Sequence, residues 1–331
     1  MATKTGQNGH DPMLSVRGLQ VVLPAGNSWA YAVRGVDISL DQHSTLGLVG
    51  ESGCGKSMTG RVLLGLLPKS AKVFGQVMFG GRNLLDLTET QFNEIRGREI
   101  AMIFQDPMTA LNPVLTIGMQ ITEVLVRKLG MSGAAAENEA VRLLDQVRIP
   151  SSRARLRSFP HELSGGMRQR VVIAAGIATR PKLLIADEPT TALDVSVQAE
   201  ILQLLTSLRK ELGIAIILIS HDFGVISRIS DEVAVMYSGR IVERGPVRDI
   251  YHRPRHPYTQ GLLRAIPRID FTDEWMPTIE GVVPSAIELI RGCAFAPRCP
   301  RRRDECEATL PPLTLTDGRR LNACFNPVPL Q

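Results

Sequence analysis

Eight residues from Gly50 to Ser57 read G-E-S-G-C-G-K-S, the Gly-x-x-x-x-Gly-Lys-Ser spacing of a Walker A phosphate loop. Gly50, Gly53 and Gly55 let the backbone curl so that amide hydrogens face phosphate oxygens. Lys56 suits the β and γ phosphates, and the Ser57 hydroxyl suits Mg2+. Ser52, Cys54 and Met58 lie in or beside the same cradle and count among the nucleotide-binding residues. A second stretch, Leu183 to Glu188 (L-L-I-A-D-E), is an apolar run ending in two carboxylates, the Walker B pattern. Adjacent acids at a buried strand end are costly unless a cation lies between them. Asp187 suits Mg2+; Glu188 suits polarising an attacking water. A third stretch, Leu163 to Gln169 (L-S-G-G-M-R-Q), starts a helix with the Ser164 hydroxyl and the bare amides of Gly165 and Gly166. That is a second anion-binding end. One domain needs one phosphate loop, so the second site suggests contact with a nucleotide held by another subunit.

These groups need elements to hold them. Thr45 to Val49 reads as a buried strand and Lys56 to Leu67 as a helix, the context a phosphate loop requires. Leu14 to Leu19, Ala32 to Leu40 and Val73 to Phe79 read as further strands, with residues 22 to 30 as a loop. Tyr31 or Trp29 could stack on an adenine ring or simply fill a strand edge. Ile100 to Phe104 is apolar and leads into an irregular segment around Pro107 and Pro113. From Leu115 to about Arg157 the pattern is helical, with Val141, Leu144 and Val147 recurring at intervals of three. Ala215 to Ile219 is another buried strand, after the helix Val195 to Leu212. Ser238-Gly239-Arg240 signals a hairpin. Beyond residue 250 prolines become frequent and helical periodicity fades, which places a domain boundary there.

The chain has 331 residues, 44% apolar and 21% charged, enough for a core and too weakly charged for disorder. The formal charge of +5 is mild and does not by itself imply nucleic acid. No apolar run approaches 18 residues, and the first residues lack the apolar core of a signal peptide. A cytosolic chain is expected, with membrane association only through a partner. Five cysteines are present: Cys54 in the phosphate loop, and Cys293, Cys299, Cys306 and Cys324 near the end. In a cytosolic chain such a cluster favours metal over disulfides. The spacing lacks Cys-x-x-Cys pairs, and four thiolates could bind zinc or an iron–sulfur cluster.

L-S-G-G-M-R-Q followed by L-L-I-A-D-E-P-T-T-A-L-D resembles the nucleotide-binding subunits of ABC transporters. E-S-G-C-G-K-S, D-P-M-T-A-L-N-P and the tail H-P-Y-T-Q-G-L-L-R-A-I-P then G-C-A-F-A-P-R-C-P resemble the oligopeptide and dipeptide importer branch, over essentially the whole chain. The chain departs from the family at Met167, where Gln is usual, and at Glu280-Gly281, where Pro-Gly is commoner. The resemblance implies that Ser164, Gly165 and Gly166 close on ATP at the opposite subunit's Walker A loop. It makes Gln105 the Q-loop residue touching Mg2+, and Ala192-Leu193-Asp194 the D-loop at the dimer interface. His221 becomes the switch histidine. Some members carry a 4Fe-4S cluster on the matching cysteines, so a cluster on Cys293, Cys299, Cys306 and Cys324 is expected, with zinc as the alternative.

The implied fold is α/β: a P-loop ABC-type core with an antiparallel β subdomain and a helical subdomain, plus a small Cys-containing C-terminal domain. Residues 1–250 would be the nucleotide-binding domain, its helical subdomain at about 115–175, and 251–331 the C-terminal domain. The implied activity is ATP hydrolysis powering import of peptides or a related solute. Implied partners are a second ATPase subunit in a heterodimer, two membrane permeases and an extracellular binding protein, with no nucleic acid. The chain would sit peripherally on the cytoplasmic face of the cell membrane. A soluble ABC-type ATPase and a non-catalytic scaffold are the alternatives; intact Lys56, Asp187, Glu188 and His221 oppose the latter.

Overall fold

Four of the apolar runs become strands buried on both faces. β3 (Thr45–Val49), β7 (Leu183–Asp187) and β8 (Ala215–Ser220) are buried throughout, and β6 (Ile100–Ile103) nearly so. Continuous rather than alternating apolar sequence is what a covered parallel sheet demands. The computed structural model describes residues 11–191, 193–266 and 278–330. In it these strands lie parallel, β6 on β7, β7 on β8, and β8 on β3. β9 (Glu232–Tyr237) continues the parallel set beside β3, and β10 (Arg240–Pro246) returns antiparallel through the Ser238-Gly239 turn.

A second sheet is antiparallel. β1 (Leu14–Ala25) pairs with β2 (Ser28–Leu40) and with β4 (Lys72–Phe79), and the short β5 (Arg82–Asn83) closes the edge. The stretch expected to be a loop at 22–30 is mostly strand. Pairing continues to Ala25 opposite Ser28, and the turn contracts onto Gly26, whose φ is 60°. The Pro, Gly and Asn signals marked a turn, but two residues suffice for it.

Alternate residues of the parallel strands feed two cores. Leu183, Ile185, Ile217 and Ile219 face the antiparallel sheet with Leu14, Val36 and Phe79. Leu184, Ala186, Ile216 and Leu218 face the helices. Each of the Leu, Ile, Val and Phe side chains contributes roughly 1.5–3 kcal/mol by burial. The helical region contains Ile117–Leu129 and Gly133–Gln146, as the periodicity from Leu115 predicts. Thr116 caps the first, accepting from the Met119 amide, and Gly130 ends it in the left-handed conformation. Ile117, Ile121 and Leu125 form its buried stripe.

The helix after the phosphate loop is shorter than expected, Lys56–Val62 rather than reaching Leu67. The chain turns out over Gly65, where φ is 61°. Two further strands carry no signal in the sequence. β11 (Thr314–Asp317) and β12 (Arg320–Asn322) extend the large sheet beyond β10. Its order is β11-β12-β10-β9-β3-β8-β7-β6. The sequence masks them because β11 is exposed along its length and so has no apolar alternation. Among the described residues no helix is long and apolar enough to cross a membrane.

Candidate active site

The carboxyl ends of β3, β6, β7 and β8 carry the phosphate loop, Gln105, the acid pair and His221, the place where open α/β sheets bind ligands. Chain must pass close to chain there. A Cβ on Gly50 would meet the Met236 carbonyl oxygen at 2.1 Å, and one on Gly55 the Ala32 carbonyl oxygen at 2.3 Å. Gly55 sits at φ 104° as the helix begins, with no side chain capping the first amides. The Lys56 ammonium is buried and donates to the carbonyls of Gly50 at 2.7 Å and Glu51 at 3.0 Å. Cys54 is buried beneath the loop, where burial pushes its thiol pKa up. Ser52, Gly53 and Met58 fall in or next to the same curl.

Asp187 ends β7 and accepts a hydrogen bond from the Ser57 hydroxyl at 2.8 Å. Burial pushes its pKa up, and the Ser57 bond only partly opposes this. Glu188 stands just past the strand at φ 48°, a left-handed conformation rare for a non-glycine residue. Such conformations cluster where a side chain must be aimed. The Glu188 amide donates to Ile219 on β8, fixing the turn. Its carboxylate accepts from Gln105 Nε2 at 2.9 Å and Thr191 Oγ1 at 2.9 Å. His221 Nδ1 lies 3.2 Å from the other oxygen. Burial would raise the Glu188 pKa, but bonds from Thr191 and His221 hold it below the ordinary value. The carboxylate is thus kept ionised, as a proton acceptor requires.

Ser164 caps the helix Gly165–Ile177, its hydroxyl accepting from the Met167 amide. Ser164 and Gly165 are exposed, and Gly166 packs where a Cβ would meet Val197 at 2.7 Å. Asp194 precedes the helix Val195–Leu212 without capping it through its side chain. Among the described residues neither Ser164 nor Asp194 shares a hydrogen bond with Gly50–Ser57. Ala192 of the expected D-loop lies outside the described residues. Tyr31 lies on β2 with the Arg34 guanidinium 5.6 Å from its ring centre, and its amide donates to Ala286. Trp29 is covered by the Lys72 ammonium at 4.2 Å.

Two contacts to the phosphate loop escape sequence reasoning. Tyr258 Oη accepts from the Glu51 amide at 2.9 Å, and Arg298 grips the Glu51 carboxylate at 2.8 and 3.0 Å. More than two hundred residues separate the partners; both lie in the tail segments that carry the family resemblance, but nothing in those segments points to Glu51.

The expected 4Fe-4S cluster, and zinc as its alternative, must be corrected. Cys293, Cys299, Cys306 and Cys324 border one cavity, but its volume is about 10 Å3, room for about one water. All four are free thiols, and burial pushes the pKa of Cys293, Cys299 and Cys324 up, the last to about 11. Among the described residues no group of three or more His, Cys, Asp or Glu is arranged to hold a metal ion. The fold brings the four cysteines to the border of one small cavity from a loop, a short helix and the segment after β12; that does not make them a metal centre.

The family description "ABC transporter" matches residues 33–191, and "Oligopeptide/dipeptide transporter, C-terminal region" matches residues 242–306. The fold is similar to the solved dimeric, post-hydrolysis state of the ATP-binding cassette MJ0796 bound to ADP and Pi. The TM-score is 0.65 at 27% identity, covering 71% of this chain and 99% of that one. It is also similar to cbiO1 from Clostridium perfringens, with a TM-score of 0.62 at 26% identity, over 73% of this chain and 92% of that one. A phosphate loop, a strand-end acid pair and a Ser-Gly-Gly helix start on this fold define an ABC-transporter ATPase. The oligopeptide transport ATP-binding protein OppD of Escherichia coli is 49% identical over 97% of this chain and 95% of its own. The dipeptide transport ATP-binding protein DppD of Bacillus subtilis is 45% identical over 95% of each. The chain belongs to this oligopeptide/dipeptide family of ABC transporter ATP-binding subunits.

Proposed function

We propose that this chain hydrolyses ATP to power import of peptides through a membrane complex, with Glu188 as the group that activates water. The observation that carries the reading is the convergence on Glu188 of Gln105 from beyond β6 and His221 from beyond β8, with Thr191 closing on it from the turn beyond β7. Mg2+–ATP suits the residues present. Ser57 and Asp187 offer a hydroxyl and a buried carboxylate already in contact, with Gln105 bonded to the neighbouring Glu188. Lys56 and the curled amides of Gly50, Gly53 and Gly55 suit the phosphates, and Tyr31 suits the adenine. When bound, Mg2+ neutralises charge on the transferring phosphoryl group. The chain's residues then position water: Glu188 accepts its proton, and His221 and Gln105 hold the carboxylate in place.

The ATPase is composite. Ser164 and Gly165 at the helix start are exposed and, among the described residues, share no hydrogen bond with this chain's own loop, and Leu193, next to the exposed Asp194, lies against Gly165. A second ATPase subunit would receive them. The dimeric cassette similar to this chain supports that arrangement. Peptides are the proposed solute because the relatives are oligopeptide and dipeptide transport proteins. Permease subunits and an extracellular binding protein complete the proposed system, and they hold the chain peripherally at the cytoplasmic face of the membrane. Residues 1–250 would form the ATPase domain and 251–331 the C-terminal domain. Ser164→Arg tests the composite site in the reconstituted complex. Hydrolysis at the partner's nucleotide should be lost while ATP still binds at Lys56. Equal loss of binding at both sites contradicts the assignment.

A further inference from the structure

We infer that Arg298 and Tyr258 are positioning residues for nucleotide binding, a brace through which the C-terminal segment sets the shape and charge of the phosphate loop. The inference rests on the reading of Gly50–Ser57 as the nucleotide site.

The Arg298 side chain is 4% exposed, and all five of its donors are engaged. Nη1 and Nη2 donate to the two Glu51 carboxylate oxygens, Nη1 also to Tyr237 Oη, Nη2 to the Ile279 carbonyl and Nε to the Glu280 carbonyl. A guanidinium used this fully is fixed in the plane of its partners, a role lysine cannot copy. The support beneath it is rigid. Tyr237 packs on Tyr258 with ring centres 4.6 Å apart, and Phe295 meets Tyr237 edge-on at 5.3 Å.

Glu51 is the point of transfer. Its amide is held by Tyr258, its carboxylate by Arg298, and its carbonyl accepts from the Lys56 ammonium at 3.0 Å. The segment beyond residue 250 therefore reaches the phosphate-binding lysine through one residue. The charge matters as much as the shape. A free carboxylate inside a loop built for phosphate would repel the ligand, and the Arg298 cation cancels it. The same segment touches the other end of the site, where the Ala286 carbonyl accepts from the Tyr31 amide at 2.8 Å and from Arg34 at 3.0 Å.

The test is the affinity of the intact chain for MgADP, measured by calorimetry beside the thermal midpoint. Arg298→Gln leaves the Glu51 charge uncancelled and should weaken binding about 5- to 10-fold. Removing that charge in the double variant Glu51→Gln/Arg298→Gln should restore affinity to within about 2-fold. A scaffold role alone moves the midpoint and gives no such rescue, so equal weakening in the single and double variants overturns the inference. Should Arg298→Gln fail to fold, Arg298→Lys and Tyr258→Phe read the same constant. Tyr258→Phe should weaken binding about 3-fold, the scale of one lost hydrogen bond, and Arg298→Lys, with three donors in place of five, at least as much. Unchanged affinity in the folded variants overturns the brace. Lys56→Ala run in parallel separates the two claims. If it loses MgADP while the brace variants bind normally, the brace alone fails; if it too binds normally, the phosphate-loop assignment fails with it.

Discussion

The Ser57 hydroxyl donates to Asp187 Oδ1 across 2.8 Å, joining two residues 130 positions apart in sequence. The bond ties the first turn of the phosphate-loop helix to the end of β7, so the two groups proposed for Mg2+ are held together by the fold itself. It also explains how a carboxylate that is 2% exposed survives at a strand end. The bond offsets part of the desolvation cost, and a cation would offset the rest.

Asp187 thus costs stability. Its folded pKa lies above the ordinary carboxylate value, chiefly through burial. The folded state then binds its proton more tightly than the unfolded chain does, and stability falls as pH rises through that window. Without nucleotide, Asp187→Asn should raise Tm at pH 7 by about 2 °C, the scale of ~1 kcal/mol. The same variant should lose Mg2+-dependent hydrolysis. A scanning calorimeter and a phosphate-release assay check both; a lowered Tm would assign the carboxylate a stabilising role.

Glu188 titrates the other way. Burial would raise its pKa, and the Thr191 and His221 hydrogen bonds outweigh it. Its ionised form is stabilised above the unfolded pKa, and that contribution disappears as pH falls through the folded value. Thr191→Val removes one donor, so the acid limb of the kcat/KM profile should move to higher pH. A limb that stays in place or moves down would take Thr191 out of the site.

His256 gives the C-terminal segment an acid sensitivity. It is fully enclosed, its Nδ1 accepts from the Tyr258 amide, and burial pushes its pKa down to about 3. The unfolded side chain takes a proton below about pH 6.5. Stability therefore drains as pH falls from there toward 3. His256→Asn keeps an N-cap acceptor and cannot titrate. Its Tm profile between pH 6.5 and 4.5 should be flatter than that of the unaltered chain; parallel profiles would show that His256 does not set the slope.

The sequence made the local chemistry readable and the long-range contacts unreadable. Gly50 to Ser57 and Leu183 to Glu188 declare themselves because phosphate and metal chemistry demands fixed residue types at fixed spacing. The parallel strands were legible as uninterrupted apolar runs. β11 was not, since an edge strand facing solvent needs no apolar pattern, and β12 was not, since the residues it buries are the polar Arg320 and Asn322. The grip of Arg298 on Glu51 left no local trace, because an ion pair across the fold imposes no periodicity on either segment. The four late cysteines misled for the opposite reason. Their number suggested a cluster, but a metal centre is defined by arrangement in space, and no such arrangement is found among the described residues.

Assigning Glu188 as the water-activating group is tested most directly by Glu188→Gln in the reconstituted complex. The substitution keeps the shape and an oxygen for Gln105 and Thr191 but removes the proton acceptor. Single-turnover hydrolysis of radiolabelled ATP should be followed at the variant's own Walker A site, so that the partner's site does not mask the loss. ATP binding should persist while hydrolysis falls about 100-fold or more, the scale of a positioned base. An unchanged rate at that site would contradict the assignment and leave the acid pair with metal binding by Asp187 alone.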